Sequence, residues 1–384
     1  MISLPEKFEE FSEARRNGFI RAKELKESGK KLVGVFCAFT PVEIPMAAKA
    51  VTVGVCGVSE EPIPEAEKIL PRNLCPLIKS SFGHAITDTC PYFYFSDLLI
   101  GETTCDGKKK MYEELAKIKD LHLMQLPNSR NGKYAYELWK NEIKVLKEDI
   151  ENRFSVKITD EDLKEAIKDK NEERKLLKEF YELGKLVPPP MNGYDMHQVL
   201  YNSGFKFDRD ELKNSIKDMI VSIKDKYEKG ERPVSEDKPR ILITGCPIGG
   251  VSEKIVKTIE DSGAVVVAFE TCGGIRSNDE LVDENNPDPI DAIAKKYINI
   301  ACSCMVNNDE RIDLLDRLID EYKIDGVIDV VLQACHTFNV ESYRVKKFVN
   351  EVKNKPYMAI ETDYSKSDTE QLRTRFEAFI EMID

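Results

Sequence analysis

The feature that most constrains this chain is a recurring pattern in which a short apolar, β-branched run ends in a cysteine. "KLVGVFC" ends at Cys37 and "VTVGVC" at Cys56, while "RILITGC", "AVVVAFETC" and "GVIDVVLQAC" end at Cys246, Cys272 and Cys335. Such runs, separated by helical patterns, predict βαβ units with parallel strands. Their thiols then fall at strand carboxyl ends, which is the edge where open α/β sheets build binding sites.

The same pattern predicts the domain organisation. We expect two Rossmann-like α/β domains with parallel sheets, an N-terminal one over 1–136 and a C-terminal one over 239–384. The intervening 137–238 is helical and highly charged, and it ends in the proline-bearing linker "KGERPVSEDKPR". This segment is expected to join the domains, so that the cysteines of both face one interdomain cleft.

Local signals in the first domain give more specific expectations. Thr40 resembles the cap of a short helix, with Glu43 three residues later as the capping-box acid. The apolar run over 92–100 predicts a third strand, which would deliver Cys105 just beyond its end. A helix is expected to begin there, at "KKKMYEELAKI".

Charge and hydropathy exclude several classes of function. The chain has 57 basic and 69 acidic residues and a formal net charge of -12, so nucleic acid is not an expected partner. The charged N-terminus does not resemble a signal peptide, and no apolar run predicts a membrane span. We therefore expect a cytoplasmic protein, in which ten cysteines favour metal or redox chemistry over disulfides.

Thiolate-rich sites bind chiefly zinc or iron–sulfur clusters, and the spacing leaves both open. Only Cys302 and Cys304 are closely paired, and the ferredoxin run of cysteines is absent, so any site would draw on distant ligands. His336, next to Cys335, either donates protons to a reduced substrate or simply packs. Glu43 is a second catalytic candidate if it faces the cleft.

A glycine-rich turn in the second domain is a candidate phosphate loop. "TGCPIGG" (244–250) matches neither the dinucleotide fingerprint nor the P-loop, and Glu270 is weak support for a ribose contact. A tight turn or a contact to a CoA phosphate is the favoured interpretation.

Several motifs together resemble a known family. "FCAFTPVEIPMAAKA", "NLCPLIKSSFG", "CPYFYFSDLLIGETTCDGKKKMYE", "ILITGCPIGG" and "ETDYS" are similar to the 2-hydroxyacyl-CoA dehydratase family, which includes benzoyl-CoA reductase subunits. The resemblance extends over essentially the whole chain and is closest to the double-cubane cluster protein branch. It implies that Cys75, Cys105 and Cys335 hold a [4Fe-4S] cluster with one iron open.

The double-cubane branch implies a larger cofactor. Two cubanes joined by a sulfide, [8Fe-9S], need six thiolates, and the further candidates are Cys37, Cys56, Cys246 and Cys304. Extra ligands would occupy the space that an acyl-CoA needs, which favours an ATP-dependent reductase of a small molecule. The alternative is a subunit of an (R)-2-hydroxyacyl-CoA dehydratase with one [4Fe-4S] cluster.

The resemblance also implies partners. Electrons would come from a homodimeric ATPase activator with its own iron–sulfur cluster, since the chain has no Walker motif, and the chain itself would form a homodimer. The three lysines of "CDGKKK" (108–110) are expected to be exposed, as a solvated helix start or as a docking surface for that donor. A non-catalytic cluster carrier and a zinc-stabilised binding protein remain as other classes.

Overall fold

The computed structural model describes residues 2–383 and divides into two compact units. Unit 1 comprises 1–171 and 282–300, and unit 2 comprises 172–281 and 301–384. The three-part division made from the sequence stays a prediction about which segments fold together. No helix within residues 2–383 combines the length and the apolar character that crossing a bilayer requires.

Unit 1 is built on a four-stranded parallel sheet. Its strands are β1 (Leu32–Val35), β2 (Val51–Gly54), β3 (Leu98–Glu102) and β4 (Leu121–Met124), in the order β2-β1-β3-β4. Every residue of β3 is buried, because this strand lies between two neighbours and under helices. The expected βαβ arrangement of the first two strands is confirmed, whereas β4 was not predicted.

Unit 2 contains a second parallel sheet with the same spatial order. Its strands are β5 (Arg240–Gly245), β6 (Val265–Glu270), β7 (Gly326–Leu332) and β8 (Tyr357–Thr362), in the order β6-β5-β7-β8. Strands β5, β6 and β7 are buried along their whole length, as near-continuous apolar runs in parallel sheets require. The prediction of two Rossmann-like α/β folds is confirmed.

Helices follow most strands, as parallel connections demand. Those of the first half are α1 (Glu13–Glu27), α2 (Glu43–Ala47), α3 (Ile63–Ala66), α4 (Pro76–Ile86), α5 (Pro91–Phe95), α6 (Asp106–Leu115), α7 (Ala135–Phe154) and α8 (Asp160–Glu182). The second half has α9 (Gly193–Ser203), α10 (Arg209–Glu228), α11 (Thr258–Asp261), α12 (Pro289–Ile298), α13 (Asp309–Glu321), α14 (His336–Lys347) and α15 (Thr369–Glu381). Short 3-10 turns occupy Phe8–Glu10 and Leu183–Lys185, and π-helical turns occupy Glu253–Lys257 and Phe348–Val352.

Two local predictions in unit 1 were wrong. The apolar run over 92–100 is not one strand, because Pro91 starts the helix α5 and β3 begins only at Leu98. Proline at the first helical position is compatible with a helix, and its aromatic neighbours pack against the helix α1. Thr40 caps no helix either: α2 begins at Glu43, and the Thr40 hydroxyl donates to the side chain of Glu102 instead.

A glycine in β3 permits close packing of an aromatic ring. A Cβ atom added to Gly101 would lie 2.6 Å from Cζ and 2.8 Å from Cε1 of Tyr112, which is closer than real carbon atoms approach. Tyr112 is itself 1% exposed, so its ring has little room to move. The strand and helix α6 can therefore pack at this distance only because residue 101 lacks a side chain.

We expect Gly101→Ala to lower the free energy of unfolding by about 1–3 kcal/mol, because the added methyl group overpacks the core. The matched control is Gly54→Ala at the end of β2, where an added Cβ meets no atom within 4 Å. That control should be neutral or slightly stabilising, since alanine restricts the unfolded chain. Urea denaturation of both variants checks this, and equal midpoints would contradict it.

Candidate functional site

Three of the predicted metal ligands occupy the same structural position. Cys75, Cys105 and Cys335 are the N-cap residues of α4, α6 and α14, and none of the three side chains caps its own helix by a hydrogen bond. The N–H groups and the dipole at a helix N-terminus stabilise negative charge, and they favour the thiolate over the thiol. This position therefore suits a cysteine that binds a metal as its thiolate.

In unit 1 two of these helix starts lie side by side. A Cβ on Gly107 would lie 2.8 Å from Cδ1 of Leu74 and 2.9 Å from Cδ1 of Ile78. Leu74 and Ile78 flank Cys75 in the sequence, and Gly107 follows Cys105 by two residues. The glycine thus allows the N-terminal turn of α6 to pack against that of α4.

Cys90 shows a different use of the same position. It is the N-cap of the five-residue helix α5, and its sulfur accepts a hydrogen bond from the Phe93 N–H at 3.5 Å. Burial raises the pKa of its thiol. These contacts favour a structural role for Cys90.

The first lysine after Cys105 is not exposed. Lys108 is 9% exposed, and its Nζ atom donates to the Phe36 carbonyl at 3.0 Å. The Cys56 thiol donates to the same carbonyl at 3.1 Å. The expectation of three exposed lysines is therefore wrong for Lys108, because the helical period turns this residue inward while its two neighbours face solvent and pair with acids of their own helix.

Lys108 places a buried positive charge beside two candidate ligands. Burial alone would lower the pKa of Lys108. The opposite effect is larger, and it raises this pKa well above its usual value; it comes first from Tyr112 and then from the thiols of Cys56 and Cys37. Lys108 therefore stays charged. Burial raises the pKa of the Cys56 thiol, and the charge of Lys108 opposes that increase.

Unit 2 buries arginines under its own thiols. Arg276 is fully buried, donates to both the carboxylate and the carbonyl of Glu270, and has its Nη1 atom 3.7 Å from the sulfur of Cys272. Arg311 contacts the other oxygen of Glu270 at 3.2 Å. Glu270 is thus held by two guanidinium groups inside the protein, which gives no support to a ribose contact by this acid.

The pair Cys302 and Cys304 lies near the same charge. A hydrogen bond from Cys304 lowers the pKa of Cys302 to about 6, against the opposing effect of burial, and the charge of Arg276 contributes to the decrease. Cys246 is 1% exposed, and its sulfur accepts from the Leu332 N–H at 3.4 Å. Each unit therefore places thiols beside a buried cation.

The two proposed catalytic residues differ in their surroundings. Glu43 in unit 1 is fully buried and accepts a hydrogen bond from the Tyr297 hydroxyl at 2.8 Å. His336 in unit 2 is the first residue of α14 and is exposed. Their catalytic roles stay predictions.

The donor chemistry of the cysteines suits an iron–sulfur group. Each unit contributes five cysteines, and thiolates are the preferred ligands of iron–sulfur clusters. Within residues 2–383, however, no group of three or more His, Cys, Asp or Glu side chains that could hold a metal ion is found. The cysteines fit the cofactor by the chemistry of their thiolates and by their position at helix N-termini. The described residues contain no preformed set of three ligands.

Sequence reasoning missed the buried cations. Lys108 was assigned to the surface, and Arg276 and Arg311 were not singled out at all. The only signal in the sequence was the amphipathic period of α6, which places Lys108 on the same face as Met111 and Tyr112.

Comparison with known proteins identifies the family to which the chain belongs. The chain belongs to the family described as 2-hydroxyglutaryl-CoA dehydratase, D-component, whose model matches residues 37–383. The resemblance to dehydratase and benzoyl-CoA reductase subunits is thereby confirmed.

Individual relatives cover nearly the whole chain. "Putative dehydratase subunit YjiM" of Escherichia coli (strain K12) is 52% identical over 383 residues, which are 100% of this chain and 99% of that protein. The (R)-phenyllactyl-CoA dehydratase beta subunit of Clostridium sporogenes is 27% identical, covering 94% of both chains. A benzoyl-CoA reductase subunit of Thauera aromatica is 24% identical over 94% of this chain and 90% of its own length.

The arginine pair predicts a large effect on stability. We expect Arg276→Met to lower the free energy of unfolding by about 3–5 kcal/mol, because it leaves the buried carboxylate of Glu270 with one of its two guanidinium partners. The control is Arg344→Met, which removes an exposed ion pair with Asp309 and should cost less than about 1 kcal/mol. Denaturation curves of equal midpoint for the two variants would show that the buried pair has no such role.

Proposed function

We propose that this protein is an iron–sulfur reductase of its family, which holds a double-cubane cluster and reduces a small molecule at low potential. The observation that carries the proposal is the shared N-cap position of Cys75, Cys105 and Cys335. Unlike Cys90, these three thiols do not cap their own helices, so the helix dipoles can act on what the thiols bind.

The ligands fall into two sets under this proposal. Cys75, Cys105 and Cys335 would hold one cubane, and the thiols that complete the second would come from Cys37, Cys56, Cys246 and Cys304. Bound there, the cluster supplies single electrons at low potential. The choice of six thiolates from these candidates is part of the proposal.

The residues around the thiols would raise the reduction potential of the bound cluster. Lys108 is a buried cation beside the candidate ligand Cys56, and positive charge stabilises the more reduced, more negative form of a bound cluster. The N–H groups that start α4, α6 and α14 act in the same direction. The chain itself would thus make the first electron easier to accept.

Reduction at low potential needs a strong electron donor, and this need leads to the proposed partners. A separate homodimeric ATPase with its own iron–sulfur cluster would deliver the electrons, and the chain would act as a cytoplasmic homodimer on a small-molecule substrate. Lys109 and Lys110 are the exposed members of the lysine triplet and remain available to an acidic donor, although each is paired with an acid of α6. Such pairs are weak and exchangeable at a surface.

A second candidate function is a subunit of an (R)-2-hydroxyacyl-CoA dehydratase with one [4Fe-4S] cluster. The names of two relatives, both dehydratase subunits, favour it. Under this alternative Cys75, Cys105 and Cys335 keep their role, while the remaining thiols are structural. Anaerobic incubation with the activator, ATP and (R)-phenyllactyl-CoA separates the two, because only the alternative predicts release of water from this thioester.

Substitution of the N-cap cysteines tests the ligand assignment. Cys75→Ala, Cys105→Ala and Cys335→Ala should each remove most of the bound iron, because ligands drawn from distant positions offer no local replacement. Cys90→Ala is the matched control, since it removes an N-cap thiol that serves its own helix, and it should keep the iron. Iron per chain and visible absorbance after anaerobic purification give the result.

The opposite pattern would refute the assignment. If Cys90→Ala lost the iron while Cys105→Ala kept it, the N-cap position would not mark the ligands. ATP-dependent reduction of the bound iron by the activator, followed by electron paramagnetic resonance, then tests the reductase itself. Normal iron content without any ATP-dependent reduction would indicate a non-catalytic cluster carrier.

A further inference from the structure

Unit 1 contains a buried polar group whose acid, Glu102, has no role in the proposed cluster chemistry. It consists of Thr40, Glu102, Lys108 and Tyr112, here called the Glu102 group, and all four side chains are at most 9% exposed. Glu102 is the last residue of the central strand β3, at the sheet edge where the candidate ligands lie. Most buried side-chain polar atoms have at least one hydrogen-bond partner.

The Glu102 group is not fully hydrogen-bonded. One carboxylate oxygen of Glu102 accepts from the Thr40 hydroxyl, while the other oxygen, Oε2, has no partner within residues 2–383. The Tyr112 hydroxyl likewise lacks a partner in the described part of the chain. An ionised carboxylate with one bare oxygen in the protein interior is costly, whereas a protonated one is much less so.

Glu270 in unit 2 gives the matched contrast. Both acids are fully buried, end a strand and accept a hydrogen bond from a threonine, Thr40 for Glu102 and Thr244 for Glu270. Glu270 also has the two arginines, one on each oxygen. Lys108, whose charge acts on Glu102, donates its hydrogen bond to the Phe36 carbonyl instead. Both oxygens of Glu270 therefore have cationic partners, whereas one oxygen of Glu102 has no partner in the described residues.

The electrostatic surroundings agree with the geometry. Burial raises the pKa of Glu102 to about 7, although the hydrogen bond from Thr40 and the charge of Lys108 both oppose this increase. The other titratable groups of this region are Tyr112 on α6 and the thiols of Cys37 and Cys56. The β4 neighbour of Glu102, Met124, carries no charge.

We propose that Glu102 is a proton-carrying residue, whose carboxylate takes up one proton and supplies it to the proposed reduction. The O–H bond of the carboxyl group breaks, the carboxylate keeps the electron pair, and the proton goes to the reduced small molecule. A hydronium ion from solvent then protonates the carboxylate again and leaves as water. The supply of a proton to substrate rests on the proposed reductase function, whereas proton exchange by Glu102 does not.

Infrared spectroscopy of the purified chain tests the exchange without any turnover. The wild-type protein should show a protonated carboxyl band that disappears with a midpoint near pH 7. Glu102→Gln should remove this band, and Glu113→Gln, which replaces an exposed acid of α6, should leave it. A spectrum in which no carboxyl band titrates near neutral pH would overturn the proposal.

Thr40→Val keeps the experiment decisive if the glutamine variant does not fold. Valine has the shape of threonine without the hydroxyl, and the lost hydrogen bond should shift the midpoint to higher pH. A titrating band that belonged to another carboxyl group would give no such shift. An unchanged midpoint in a folded Thr40→Val protein would overturn the proposal.

ATP-dependent turnover tests the supply of the proton. Glu102→Gln should lower the rate by about 10²-fold, which is typical of a lost proton donor, while iron per chain stays at the wild-type value. Wild-type rates in Glu102→Gln would overturn the role in turnover. If the wild-type chain binds no iron at all, the proposed function fails, and the infrared titration still decides whether Glu102 exchanges a proton.

Discussion

Hydrogen bonding between parallel strands, in both sheets, is the constraint on which the rest of this structure depends. Because all strands of a sheet run in one direction, every connection leaves the sheet at its carboxyl edge, and most enter a helix there. Cys105 and Cys335 lie in such connections, after β3 and β7, and each starts the next helix. The same geometry that satisfies the backbone therefore presents a thiol to the positive end of a helix dipole.

Buried charge completes this arrangement differently in the two units. Unit 2 pairs Arg276 and Arg311 with Glu270, so both oxygens of this carboxylate have partners, and Arg276 also contacts the sulfur of Cys272. Unit 1 has Lys108 and leaves one oxygen of Glu102 without a partner in the described residues. A buried carboxylate with partners on both oxygens has no free site for a proton, whereas an oxygen without a partner can accept one. The two sheets share their strand order and have separate chemical roles in this account.

Much of the fold could be predicted from the sequence because β-branched runs report buried parallel strands directly. The helix α5 could not, since "PYFYF" combines strand-like aromatic residues with a proline that starts a helix. The N-cap role of Cys75 and the burial of Lys108 were also missed. Both depend on how α4 and α6 pack against each other and against Phe36, and such contacts join residues far apart in the sequence. The spacing of apolar residues in the sequence indicates secondary structure. It does not indicate which cation lies beside which thiol in the folded chain.

The central claim is that the cysteines of this chain hold an iron–sulfur cofactor. The most direct measurement is the content of iron, acid-labile sulfide and zinc in the full-length protein purified without oxygen. The account predicts a brown protein with about eight irons per chain and a similar amount of sulfide, and about four irons would indicate the single-cubane alternative. Stoichiometric zinc without acid-labile sulfide would contradict the account, because the N-cap thiols would then serve a structural metal.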